Sequence, residues 1–113
     1  MRTIIAGSRT ITDYRQVCDA VTESCFDVTT VVSGTARGVD QLGEQWAWKH
    51  GVPVDQFPAQ WNRDGKAAGY KRNVVMAILS DALIALWDGK SRGTKHMIEE
   101  AKRRGLRVFV YRT

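Results

Sequence analysis

Ser80-Asp-Ala-Leu-Ile-Ala-Leu-Trp-Asp-Gly-Lys-Ser-Arg-Gly-Thr-Lys-His-Met-Ile98 is the stretch that decides the fold. Ala82 to Trp87 is an unbroken apolar run with the length and composition of a strand covered on both faces. Asp88 to Thr94 follows with glycines, hydroxyls and cations where a helix would begin, a pattern that suits a phosphate at a helix N-terminus. Strand, turn and helix in that order make a unit of a parallel α/β sheet.

The rest of the chain repeats the unit. Arg2 to Ala6 reads as a first strand, Gly7-Ser8-Arg9-Thr10 as its turn, and Thr12 or Asp13 as the cap of a helix to about Ser24 with Val17, Ala20, Val21 and Ser24 inward. Val28 to Ser33 is rich in β-branched residues and reads as a second strand. The turn Gly34 to Gly38 leads to a helix whose inner face is Val39, Leu42, Gly43, Trp46, Ala47 and His50, ended by Gly51. Val52 to Phe57 gives a third strand, placed at an edge by Pro53. Pro58 to Gly69 shows no periodicity and reads as a functional loop carrying Trp61.

The spacing then predicts a helix over Ala67 to Ser80 with Val75, Ile78 and Leu79 inward. After Thr94 comes another helix, with Met97, Ile98 and Ala101 on one face and Lys102, Arg103 and Arg104 in a last turn where cations suit the helix dipole. Gly105 ends it, and Leu106 to Tyr111 is a fifth strand. The expected fold is therefore a three-layer Rossmann-like α/β fold around a five-stranded parallel sheet, strand order 3-2-1-4-5.

Composition narrows the setting. The 113 residues, 43% hydrophobic, suit one domain over residues 1–113, and a net charge of +5 favours anionic partners. No segment reads as a signal peptide or as the ~20 apolar residues that cross a bilayer, so a cytoplasmic protein without membrane contact is expected. Cys18 and Cys25, seven residues apart in the first helix, would lie about 10 Å apart along its axis. That exceeds the roughly 7 Å disulfide limit, so two reduced, packed thiols are expected. His50 and His96 lack metal-ligand spacing, so neither a metal nor another cofactor is expected.

In an open parallel sheet, ligands bind beyond the carboxyl ends of the strands, near the switch in strand order. Turns at that edge contribute Gly7, Ser8 and Arg9; Ser33, Gly34, Thr35, Arg37, Gly38 and Asp40; and Asp88, Ser91, Arg92, Gly93 and Thr94. Together they offer exposed N–H donors, hydroxyls and bidentate guanidiniums, the groups that clamp an oxyanion. Arg72 and Asn73 can reach over the same edge, and Trp61 is the candidate for stacking on a base, whereas Trp46 and Trp87 suit packing. Gly34 to Gly38 is neither G-x-G-x-x-G nor a P-loop.

In order along the chain, Ile5-Ala-Gly-Ser-Arg9, Ser33-Gly-Thr-Ala-Arg-Gly-Val-Asp40, Gly69-Tyr-Lys-Arg-Asn-Val-Val-Met76 and Ser91-Arg-Gly-Thr94 resemble the SLOG superfamily. This Rossmann-like group includes the LOG phosphoribohydrolases and the DNA-processing protein DprA, and its small YspA-like, cpYpsA-related branch is the nearest in pattern. The resemblance implies a pocket for a nucleotide-derived ligand, and a homo-oligomer, dimer or tetramer. Trp48 and Tyr70 are aromatics that the helix patterns leave partly outside. In LOG enzymes the segment matched by Arg72 and Met76 precedes a P-G-G-x-G-T-x-x-E motif. Here Gly93 and Thr94 match that motif's end, while Met97 stands where the catalytic glutamate belongs.

A thioether can neither activate water nor stabilise a ribosyl cation. The expected function is accordingly binding of a nucleoside phosphate or ADP-ribose-like molecule, for sensing or sequestration. The alternatives are an N-glycosidic nucleotide hydrolase using Arg72 with Asp88, Glu99 or Glu100, and a single-stranded DNA-binding protein. Glu100, one helical turn past Met97, is the candidate for the missing carboxylate, although Glu99 and its neighbours also suit ordinary helix ion pairs.

Overall fold

Two central strands, each apolar on both faces, set the layers. In the computed structural model, which describes residues 1–113, β1 (Arg2–Gly7) pairs in parallel with β4 (Ala82–Trp87), Thr3 opposite Ala82 through Gly7 opposite Leu86. On β1's other side lies β2 (Thr30–Ser33), then β3 (Val54–Gln56); beyond β4 lies β5 (Arg107–Arg112). Every pairing is parallel and the order is β3-β2-β1-β4-β5, the Rossmann-like α/β arrangement expected, with β3 at an edge.

Right-handed crossovers send helices to opposite faces when the chain steps in opposite directions from the switch. Accordingly α1 (Tyr14–Ser24) and α2 (Val39–Lys49) pack on one face, where Ile5, Val31, Ile84 and Leu86 meet Val17, Ala20, Val21, Val39 and Ala47. On the other face α4 (Ala68–Ile78) and α5 (Arg92–Arg103) bring Met76, Ala77, Met97, Ile98 and Ala101 onto Ile4, Val32, Leu83 and Ala85. Burying each such large side chain contributes about 1.5–3 kcal/mol, so β1 and β4 hold the largest share of the core. Asp13 caps α1, its Oδ1 accepting from the Arg15 N–H at 3.0 Å.

Several expectations change. The loop after β3 contains one helical turn, α3 (Trp61–Asp64), and a 3-10 turn over Gly65–Ala67. The inner face of α4 is Asn73, Met76 and Ala77, not Val75, Ile78 and Leu79, which are 42%, 58% and 46% exposed. The helix is rotated because polar Asn73 has partners inside, described below. His50 sits at the exposed end of α2 rather than on its inner face, its ring stacked on Trp46 at 4.3 Å. Cys25 is not in the helix body: it closes α1 at φ 59° and is exposed, while Cys18 is half-buried, so the two thiols are not both packed. Trp48 is exposed on α2, as the pattern suggested. No helix is long and apolar enough to cross a membrane.

Gly43 on α2 marks where helix and sheet meet without clearance, since a Cβ there would stand 2.9 Å from both Cβ and Cγ2 of Ile5. In an open helix Gly→Ala gains roughly 1 kcal/mol. Here the sign should reverse: Gly43→Ala is expected to lose about 1–2 kcal/mol to overpacking, read as a lower urea midpoint. A raised midpoint would show that α2 can lift from β1.

Candidate functional site

The carboxyl ends of β1 and β4 open into a cleft of about 540 Å³, a size suited to a small-molecule ligand. Its floor is Ala6, Met76 and Met97. The turn after β1 supplies Gly7, Ser8, Arg9 and Thr10; the turn after β4 supplies Asp88, Lys90, Ser91, Gly93 and Thr94. From α2 and the turn before it come Asp40 and Ala36. The side facing α3 and α4 is Trp61, Lys66, Gly69, Tyr70, Arg72 and Asn73. Of the residues expected at the site, Gly7, Ser8, Arg9, Asp40, Trp61, Arg72, Asn73, Asp88, Ser91, Gly93 and Thr94 are thus brought together.

The three turns do not contribute alike. After β2, the buried Ser33 hydroxyl donates to Glu44 Oε2 at 2.5 Å and accepts from the Thr35 N–H, and Glu44 Oε1 accepts from Gln56 Nε2. Those groups hold the turn itself, so Ser33 and Thr35 do not reach the cleft. Arg37 is exposed at the turn's tip and Arg92 on the first turn of α5; neither lines the cleft. Gly34 and Gly38 act by what they lack. A Cβ on Gly34 would stand 2.5 Å from Arg72 Nη1 and 2.8 Å from Asp40 Oδ2. Gly38, at φ +80°, lies against the Ser8 and Arg9 backbone.

After β4, Asp88 builds the cradle. Its Oδ1 accepts from the N–H groups of Lys90 and Ser91, both at 2.8 Å, and its Oδ2 accepts from Ser8 Oγ at 3.1 Å. The two backbone N–H groups, Ser91 first, hold its carboxyl below the usual carboxylate value. Ser91 then caps α5, accepting from the Thr94 N–H. Arg92 and Gly93, the first residues of the helix, have N–H groups without intrahelical acceptors, and nothing lies within 4 Å of a Cβ placed on Gly93. An anion there meets open space and the positive end of the helix dipole.

Across the cleft, Arg72 donates from Nη1 to the Gly34 carbonyl at 2.5 Å and from Nε to Asn73 Oδ1 at 3.1 Å. Asn73 Nδ2 in turn meets the Gly93 carbonyl at 3.3 Å and His96 Nδ1 at 3.2 Å. These bonds explain the inward asparagine and fix α4 against the start of α5. Arg9 forms no side-chain hydrogen bond or ion pair. The pattern left Tyr70 outside, and although 45% exposed it lines the cleft, its ring 4.5 Å from His96. Lys66 and Lys90 also line it; their only signal in the sequence is positive charge and a position in polar loops.

Glu100 is not the missing carboxylate. It is 2% exposed, outside the cleft, and paired with Arg103 at 3.0 Å and Arg104 at 3.1 Å. The one-turn offset from Met97 turns it toward its own helix end. Glu99 is exposed and also outside. The carboxylates that line the cleft are Asp40 and Asp88.

Burial pushes the Asp40 carboxyl up from 3.8 to about 6; the Ala36 N–H, Arg72 and Arg9 pull it back, and Glu44 adds to the rise. Since the folded carboxyl holds its proton more tightly than the unfolded one, its contribution to stability is fullest below about 4 and is lost as pH rises through about 6. Asp40→Asn is therefore expected to be more stable than the parent at pH 8 by about 1–3 kcal/mol, the gap closing toward pH 4. Urea titrations at the two pH values check this; a gap independent of pH would contradict it.

Comparison with known proteins bears on the family and the fold. The sequence model of the YspA, cpYpsA-related SLOG family matches residues 1–63. The Gene 61 protein of Mycobacterium phage D29 is 34% identical over a 119-residue alignment that covers 97% of this chain and 95% of that protein. The X-ray structure of DNA processing protein A (DprA) from Streptococcus pneumoniae superposes with a TM-score of 0.75 at 20% identity, a likeness of fold. It covers 96% of this chain, which spans about half of that one, 49%.

Proposed function

The chain belongs to the YspA, cpYpsA-related SLOG family, and from that premise we propose that its cleft binds a nucleotide or nucleotide-derived molecule, a nucleoside phosphate or ADP-ribose-like ligand, for sensing or sequestration. One observation carries the proposal: the start of α5 at Gly93 and the guanidiniums of Arg9 and Arg72 belong to a single cleft. Together they match the needs of a phosphate, charge-assisted donors from side chains and free donors from backbone. Trp61 and Tyr70 offer aromatic surface for a base at the α3–α4 side. Met97, buried and on the floor, favours retention over LOG-type cleavage.

A second reading, hydrolysis of an N-glycosidic bond, is favoured by Asp40 and Asp88 lining the cleft with Arg72. Release of free base from nucleoside monophosphates, lost in Arg72→Ala, would establish it. Recovery of intact nucleotide after long incubation would leave binding alone.

The binding proposal is tested with Arg9→Ala, because Arg9 is exposed and unbonded, so its loss should spare the fold. Calorimetry with AMP and ADP-ribose is expected to give micromolar binding by the parent protein and about tenfold or greater weakening in Arg9→Ala, with the melting temperature unchanged. Folded parent protein that binds neither ligand, nor other nucleoside phosphates, would end the proposal.

A further inference from the structure

We propose that Asp40 accepts hydrogen bonds from the sugar hydroxyls of the ligand, so that the cleft takes ribose-containing phosphates in preference to their deoxyribose counterparts. This rests on the nucleotide reading and adds the sugar to it.

Asp40 is only 5% exposed, yet it lines the cleft. An ionised carboxylate offers about four acceptor positions. The protein fills one, the Ala36 N–H reaching Oδ2 at 3.1 Å, and Oδ1 accepts no hydrogen bond. No cation forms an ion pair with it. Asp88, the other carboxylate of the cleft, is the contrast: its Oδ1 is taken up in holding its own turn and its Oδ2 by the Ser8 hydroxyl of the β1 turn. A buried carboxylate with unused lone pairs is costly, and a donor from the ligand removes that cost.

The neighbourhood decides which donor. A second anion is opposed by the carboxylate's own charge, and a cationic group is opposed by the Arg72 and Arg9 guanidiniums, whose fields reach Asp40. A neutral donor remains. Asp40 Oδ2 and Arg72 Nη1 crowd the same glycine, Gly34, so the carboxylate lies beside a guanidinium on which the nucleotide reading places the phosphate. In a nucleoside phosphate the sugar is bonded to the phosphate and the base is farther off, beside Trp61 and Tyr70. The donors within reach of Asp40 are therefore sugar hydroxyls, and one carboxylate can take a vicinal pair, as acidic side chains take ribose in dinucleotide sites.

The experiment is calorimetry of the whole chain with AMP, 2′-deoxy-AMP, ribose 5-phosphate and 2-deoxyribose 5-phosphate, repeated on Asp40→Ala and Asp40→Asn. The parent is expected to prefer each ribose form by about tenfold or more, the loss of a hydrogen bond to a charged acceptor. In Asp40→Ala that preference should fall toward one. Asp40→Asn keeps an acceptor for the Ala36 N–H and should fall between, which guards against misfolding of the alanine variant. Equal affinity of ribose and deoxyribose forms in the parent overturns the sugar assignment while leaving the nucleotide reading intact. Affinity that follows the base instead, GMP over AMP with the sugar indifferent, moves Asp40 to a purine edge and also overturns it, as does a ribose preference that persists in folded Asp40→Ala. No binding of any of these phosphates by the parent overturns both readings together.

Discussion

The Arg72 guanidinium, donating to the Gly34 carbonyl at 2.5 Å, joins the two layers that lie on opposite faces of the sheet. Arg72 stands on α4, above one face; Gly34 opens the turn into α2, which covers the other. The bond reaches over the carboxyl edge of the strands because Gly34 has no side chain in the way. It also aligns its neighbours. With Arg72 fixed, Asn73 is fixed by the same helix, and through Asn73 the start of α5 is held at Gly93. The cleft is thus a closed circuit of hydrogen bonds: α4 to the β2 turn, α4 to α5, the β4 turn back to Ser8 on the β1 turn, and the Ser8 carbonyl accepting from the Val39 N–H at the start of α2.

The circuit costs stability. Burial lowers the proton affinity of the Arg72 guanidinium and raises that of Asp40, so both charges sit where water would serve them better. What offsets the cost is the seam beneath it, where β1 and β4 place Ile4, Ile5, Leu83, Ile84 and Leu86 wholly out of solvent. Core and cleft share these strands from end to end: the same chain direction that buries Ile84 and Leu86 delivers Asp88 to the edge. Strained or desolvated polar groups persist at such edges because the surrounding packing holds them there.

Much of this was legible in the residues. Apolar strands alternating with helices gave all five strands and their order, and the glycine-bearing turns gave the edge. What was not legible depended on partners distant in sequence. Asn73 is polar, so the periodicity of α4 placed Val75, Ile78 and Leu79 inward, and only the carbonyl of Gly93, twenty residues on, explains the opposite rotation. Ser33 carries the hydroxyl of an anion site, but Glu44 one helix later claims it. Arg37 and Arg92 lie in the right turns and point elsewhere, because position along a turn does not fix the direction of a long side chain. Asp40 stood in a motif, but its burial becomes visible only when α4 is in place.

The seam between β1 and β4 has a consequence in time. Gly7 lies opposite Leu86, and Ser8 bonds Asp88 eighty residues away. Contacts of that sequence separation close late, since loop entropy must be met before they form. During synthesis, β1, β2 and β3 can associate with α1 and α2 early, while one long flank of β1 stays open until β4 emerges. The edge that carries the cleft is therefore among the last features to form, and until it does the nascent chain exposes its most apolar strand edge, the form most at risk of pairing with another chain.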